Sequence, residues 1–210
     1  MEDVAVKVLR PGMENRFQHD IDLFVWLARM VERTQPSLRR LRPIEVVRTF
    51  QSTVVTEMDL RLEAAAASEL RENTANDPGF RVPKIHWVRT GPRVMPLERI
   101  DGFQIDEIDA LHEAGFEPRD ILRRSAESFF NQVFRDGFFH ADIHPGNMFV
   151  DRNGTLCPVD FGIMGRLDAR TRNYLADMLL GFLDRDYKRV AEVHFEAGYV
   201  PARMSVGNFT

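Results

Sequence analysis

The chain has 210 residues, 44% of them hydrophobic, and a formal net charge of −4. That is enough apolar material for one domain or two lobes, and it excludes a disordered tail, while the scattered rather than blocked basic residues argue against nucleic-acid binding. The one cysteine, Cys157, excludes an internal disulfide framework and reads as a small core residue in a reducing compartment; the opening MEDVAVKVLR lacks a secretory apolar region, and no run of about 18 apolar residues offers a membrane span.

Residues 4–9 read VAVKVL, a β-branched run stopped by Arg10-Pro11-Gly12, which predicts a strand with Lys7 in its middle. Over residues 14–33, Phe17, Ile21, Phe24, Leu27 and Val31 recur at helical spacing, and Pro36-Ser37 closes the segment. A second helix starts near Pro43, a residue suited to a first helical turn, and is expected to run through Val47, Phe50, Val54, Met58 and Leu62 to about Leu70. Its later part, EMDLRLEAAAASEL, is rich in strong helix formers. Two extended segments, 82–88 and 93–100, flank a turn at Thr90-Gly91-Pro92. A helix over 118–135 carries Leu122, Ala126, Phe129 and Val133 on one face and ends at Asp136-Gly137. Residues 147–150 and 156–159 form a hairpin around Asp151-Arg152-Asn153-Gly154, and 170–182 and 187–197 are helical. The expected fold class is α+β: a small mixed segment to about residue 100, then a mostly helical segment over 101–210.

The densest chemistry lies in HADIHPGN, residues 140–147. His140 and His144 are four apart, as in a helical zinc pair, but Pro145-Gly146 follows at once and no glutamate stands between them as a general base. The alternative is a hard cation on oxygen ligands. Asp142 and Asn147 are five apart, and Asp160 of Asp-Phe-Gly lies thirteen beyond, the order and spacing of the kinase set H-R-D-x-x-x-x-N followed by D-F-G. Ordinary turn roles for Asp142 and Asn147 compete with that reading. His140 reads as a packed residue beside the loop, and the role of His144 stays open.

Lys7 supplies a cation in an otherwise apolar strand, and a lysine pointing inward needs an acidic partner. Glu57, Asp59 and Glu63 all stand on the expected second helix, and spacing alone does not choose among them. The competing view is an edge-strand lysine with its head in water.

Taken together, VAVKVLRPG, EMDLRLEA, HADIHPGN and VDFG resemble the UbiB family of atypical kinase-like proteins over residues 4 to about 183. The resemblance implies a protein-kinase-like two-lobed fold: a partial N-lobe over 1–100, starting at the lysine strand and holding a helical insert, and a partial C-lobe over 101–210 with the catalytic loop and DFG. It implies ATP and Mg²⁺ as cofactors. Lys7 would be the nucleotide lysine and Glu63 its helix partner; Glu57 and Asp59 would be the acidic pair facing the nucleotide; Glu98 in PLERIDG would lie in the hinge that meets adenine through backbone groups. Asp142 would take the catalytic-loop position, and Asn147 and Asp160 would bind Mg²⁺. The implied activity is ATP hydrolysis, or phosphoryl transfer to a small or lipidic acceptor, in support of ubiquinone (coenzyme Q) biosynthesis. Implied partners are quinone precursors, a lipid membrane or quinone-biosynthesis proteins, with the chain cytoplasmic or peripheral at a bacterial inner membrane.

The family's alanine-rich phosphate loop and K-x-G-Q element do not fit before Val4, and its usual transmembrane helices are not found, so the chain is expected to be a family fragment. No A-P-E motif precedes the helix at residue 170, which argues against an extended peptide substrate. Two other functions compete: a small-molecule phosphotransferase of the aminoglycoside and choline kinase type, which shares H-x-D-x-H-P-G-N, and a non-catalytic nucleotide-binding module.

Overall fold

The structure, a computed structural model, describes residues 3–200, apart from the side chains of Pro36, Thr53, Thr56 and Glu57. It divides into two compact units: one of residues up to Arg71 with Val82–Asp101 and Pro158–Gly162, the other of Glu72–Arg81, Gly102–Cys157 and the residues from Ile163 on.

In the first unit, β1 (Val4–Val8) pairs antiparallel with β2 (Val94–Glu98), with Lys7 opposite Met95. The chain before β2 adds two more hydrogen bonds, His86 N–H to Pro96 O at 3.0 Å and Glu98 N–H to Lys84 O at 2.8 Å. Residues 82–88 therefore lie extended beside β2 but do not form the expected regular strand. Pro83 has no N–H to give a ladder, the pairing amounts to one isolated bridge at Ile85, and a 3₁₀ turn begins at Trp87. Met95 and Leu97 are buried beneath this sheet.

Helix α1 (Met13–Thr34) is followed by a 3₁₀ segment, Pro36–Leu41, and packs against α2 (Pro43–Glu57) as a helical hairpin, with the Phe17 and Phe50 ring centroids 6.1 Å apart. The long helix expected from residue 43 to 70 is in fact two, α2 and α3 (Leu60–Asn73). The reason is local: the Asp59 carboxylate accepts the Arg61 N–H at 3.0 Å, capping a new helix where the old one ends. Helix α3 buries Leu60, Glu63, Ala64, Ala67 and Leu70, a stripe at helical spacing in which the one ionisable member is Glu63.

In the second unit, β3 (Gly102–Gln104), β5 (Met148–Asp151) and β6 (Leu156–Pro158) form a three-stranded sheet in the order β3-β5-β6. The expected β5–β6 hairpin is present. Its turn is closed by the buried Asp151 carboxylate, which accepts the N–H groups of Asn153 and Thr155, both at 2.9 Å, and the Arg81 Nε–H at 3.2 Å. Burial works against ionising Asp151, but these donors outweigh it and hold its pKa below the ordinary carboxylate value.

Helix α4 (Ile108–Glu113) precedes α5 (Pro118–Phe130), which widens into one π turn, Asn131–Asp136, and stops at Gly137 with φ 67°. The chain then enters β4 (Phe138–His140), paired antiparallel with β7 (Met164–Arg166). Helices α6 (Ala169–Leu183) and α7 (Tyr187–Glu196) complete the unit, capped by Asp168 and Asp186, whose carboxylates accept from Thr171 N–H at 2.7 Å and Arg189 N–H at 3.0 Å. Sequence periodicity did not reveal β3, β4 or β7, each three residues long, since alternation needs four or more residues to register. Among the described residues, no helix is long and apolar enough to cross a membrane.

Candidate functional site

The first unit gathers three charged side chains from three remote stretches of chain. Lys7 projects from β1, and its Nζ donates to Glu63 Oε1 of α3 at 2.5 Å; the same Nζ lies 3.0 Å from Asp160 Oδ2. Glu63 Oε1 also accepts the backbone N–H of Phe161 at 3.1 Å, and the Phe161 ring is fully buried. One glutamate thus fixes both the lysine and the segment that carries Asp160. Asp160 Oδ1 in turn accepts the N–H of Gly162 at 3.0 Å.

The electrostatics follow from this geometry. Burial alone would lower the Lys7 pKa, but hydrogen bonding and charge from Glu63, and then from Asp160, overcome it, so the ammonium is held above its ordinary value. For Asp160, burial opposes ionisation, but the Gly162 amide and Lys7 outweigh it and hold the carboxyl below its ordinary value. Asp160 keeps 39% of its side chain open to solvent.

The second unit holds the 140–147 loop. The His140 ring is buried at the end of β4; its backbone N–H donates to Gln132 Oε1 at 3.1 Å, and its Nδ1 accepts the Asp142 N–H at 3.2 Å. The Ala141 N–H donates to Ile163 O at 3.0 Å, extending the β4–β7 pairing into the loop. A 3₁₀ turn, Pro145–Asn147, then sets Asn147 immediately before β5, with the Asn147 N–H donating to His144 O at 3.0 Å. His144 Nε2 lies 3.7 Å from Asp142 Oδ2, and both side chains are about half exposed, 51% and 46%. Asp142 therefore has a fixed backbone and an open carboxylate.

Of the residues singled out in the sequence, Lys7, Glu63 and Asp160 meet in the first unit, while Asp142 and Asn147 share a loop of the second. Asp59 is engaged elsewhere: it caps α3 and holds the Arg61 guanidinium through contacts of 2.6 to 3.2 Å, which keeps its pKa below the ordinary value. The Glu57 side chain lies outside the described residues. Glu98, at the end of β2, exchanges bonds with Lys84: its N–H donates to Lys84 O, and its carboxylate accepts the Lys84 N–H at 3.2 Å. Sequence reasoning missed the Phe161 amide and the buried Gln132. Neither a main-chain donor nor a glutamine on a helix face carries a pattern that would reveal it.

Among the described residues, no three His, Cys, Asp or Glu side chains gather as a metal cage. In the first unit Asp160 offers a part-exposed carboxylate, and in the second Asn147 offers an amide. Oxygen donors that come singly fit Mg²⁺, which retains water and phosphate oxygens and takes only one or two protein ligands, and do not fit an ion that needs a protein cage.

The ABC1 atypical kinase-like domain family model matches residues 1–194. Among curated relatives, the probable protein kinase UbiB of Marinobacter nauticus is 44% identical over 212 residues, covering 99% of this chain and 39% of that protein. Its namesake in Pseudomonas aeruginosa is 42% identical over 212 residues (99% and 40%), and that of Vibrio cholerae 42% over 211 (99% and 39%). The chain thus spans about two fifths of the length of these relatives. Among solved structures, the Rv3197–erythromycin complex from Mycobacterium tuberculosis superposes with a TM-score of 0.74 at 23% identity, covering 97% of this chain and 51% of that one. At that identity the likeness speaks to the fold alone.

Proposed function

The chain belongs to the ABC1 atypical kinase-like family and has its kinase-like α+β fold, and from that premise we propose that it binds Mg·ATP and hydrolyses it or transfers its phosphoryl group to a small or lipidic acceptor in ubiquinone biosynthesis. The observation that carries this reading is the Lys7–Glu63 ion pair with Asp160 on the same ammonium. A lysine–glutamate pair and the Asp of D-F-G are the parts that phosphoryl transfer on a kinase fold needs in place together.

In this reading Lys7 neutralises phosphate charge, and Glu63 keeps its ammonium charged and aimed. Asn147 and Asp160 would be the residues that hold the metal. When bound, Mg²⁺ offsets charge on the phosphates. Asp142 orients the attacking oxygen, held in place by the backbone bond to His140. Glu57 and Asp59 form the acidic pair at the nucleotide, which requires Asp59 to release Arg61, and the hinge at Glu98 meets adenine through backbone groups. Positioning and electrostatics supply nearly all the catalysis in this class. Quinone precursors, membrane lipid or quinone-biosynthesis proteins are the proposed partners, with the chain cytoplasmic or peripheral at a bacterial inner membrane.

Calorimetric titration with Mg·ATP tests the reading. Asp160→Asn should abolish the Mg²⁺-dependent part of binding, Lys7→Ala should weaken binding with the fold kept by circular dichroism, and Asp142→Asn should spare affinity and remove turnover. Unchanged affinity in the first two variants would overturn the nucleotide site. Unchanged turnover in the third would leave a binding module in place of an enzyme. Acceptor profiling decides the last element: phosphorylation of choline or an aminoglycoside, with no response to lipid or quinone precursors, would reassign the acceptor.

A further inference from the structure

In the second unit three buried polar groups, two on the α5 end and one at the start of the 140–147 loop, lie next to one another. Ser128, Gln132 and His140 are 6%, 1% and 2% exposed, and they are joined in series. Gln132 Nε2 donates to Ser128 Oγ at 3.1 Å, His140 N–H donates to Gln132 Oε1 at 3.1 Å, and Asp142 N–H donates to His140 Nδ1 at 3.2 Å. The donors fix the direction of this chain. A backbone N–H can only donate, so the glutamine must turn its oxygen to His140 and its nitrogen to Ser128, and the imidazole must present an unprotonated Nδ1 to Asp142.

Burying a glutamine completely is unfavourable unless its amide is hydrogen-bonded, so its place here calls for a reason. The helix changes character at this point. Gln132 lies in the π turn that ends α5, and Gly137, at φ 67°, turns the chain back into β4, so that a side chain and a backbone amide eight residues apart can meet. Such π turns are often found at functional sites.

We propose that Gln132 is a positioning residue for Asp142: braced by Ser128, it holds the backbone of His140, whose ring then holds the backbone of the acceptor-orienting aspartate. The consequence for turnover rests on the role proposed for Asp142 above. The consequence for loop order does not.

The test uses the full chain and two variants. Gln132→Met keeps volume but removes the acceptor; Ser128→Ala removes only the brace. Amide hydrogen exchange read by NMR should accelerate by about tenfold or more at His140 and Asp142 in Gln132→Met, and in the same direction but less in Ser128→Ala. In parallel, kcat for ATP turnover should fall by about tenfold in Gln132→Met with the KM for Mg·ATP changed by less than about twofold. Unchanged exchange at both amides overturns the proposal, as does a joint loss of kcat and affinity, which marks general damage. If Gln132→Met does not fold, Ser128→Ala decides by the same exchange criterion. A wild-type chain that binds no Mg·ATP refutes the functional reading while leaving the exchange result to decide the role of Gln132.

Discussion

The lysine cluster of the first unit and the 140–147 loop of the second are built by opposite means. Lys7 and Glu63 are 56 residues apart, and Glu63 and Phe161 are 98 apart. The cluster is held by charge and exists only where remote segments meet. The loop is held by backbone N–H donors, two of them over short chain distances, 2 residues from His140 to Asp142 and 8 from Gln132 to His140, and one through the strand pairing of Ala141 with Ile163. The first is therefore sensitive to charge and pH, and the second to the shape and polarity of a few neighbouring side chains.

The strongest way to break this contrast is at Glu63. Glu63→Ala strips the acceptor from Lys7 and from the buried Phe161 amide, and should cost about 3 kcal/mol of unfolding free energy in urea titrations. Glu63→Gln keeps an acceptor for the amide and should lose about half as much. Equal losses would show that the ion pair, not the bond to the amide, carries the stabilisation.

Next in size is Asp151, the counterpart in the second unit. Its carboxylate serves two turn amides and Arg81, so Asp151→Ala should cost about 2 kcal/mol and Asp151→Asn about 1 kcal/mol by the same measurement.

Changing pH sharpens the comparison with smaller effects. Asp160 and Asp151 both have depressed folded pKa values. Their contributions are complete above the ordinary carboxylate value of about 3.9 and are lost as pH falls through the depressed folded values. Lys7 is raised, so its contribution is complete below the ordinary lysine value of about 10.4 and is lost as pH rises through the raised folded value. Unfolding free energy followed against pH should thus decline at both ends, and Lys7→Met should flatten the alkaline limb while Asp151→Asn flattens part of the acid limb. An alkaline limb unaltered in Lys7→Met would remove the lysine cluster from the account.

The smallest effect is expected at Asp59. Asp59→Ala removes the cap of α3, and should lower the melting temperature by less than either Glu63→Ala or Asp151→Ala, with faster amide exchange confined to the first turn of α3.

The sequence was informative where the governing forces are local. Pro43 marks the start of α2 where the structure has it, and the β5–β6 hairpin follows from Asp151-Arg152-Asn153-Gly154, whose side-chain-to-backbone bonds are formed within four residues. The same sensitivity to local chemistry could have located the break between α2 and α3, since Asp59 two residues before Arg61 is a capping arrangement; strong helix propensity across EMDLRLEA concealed it. Residues 82–88 failed as a strand for an equally local reason, a proline at position 83.

The partner of Lys7 was a different matter. Periodicity left Glu57, Asp59 and Glu63 equivalent, and the break at Asp59 is what places Glu63 on the buried stripe with Leu60, Ala64 and Ala67. By itself, then, the sequence determined most of the helices, the hairpin turn, the family resemblance and the set of residues able to carry the chemistry, because spacing, capping and turn preference act over a few residues. Tertiary structure decided that the Lys7 ammonium meets Asp160 as well as Glu63, the partner the family resemblance implied, and that β4 and β7 form a ladder. Those outcomes depend on desolvation and hydrogen-bond partners supplied by distant chain, and a buried charge or amide is tolerated only where such partners arrive.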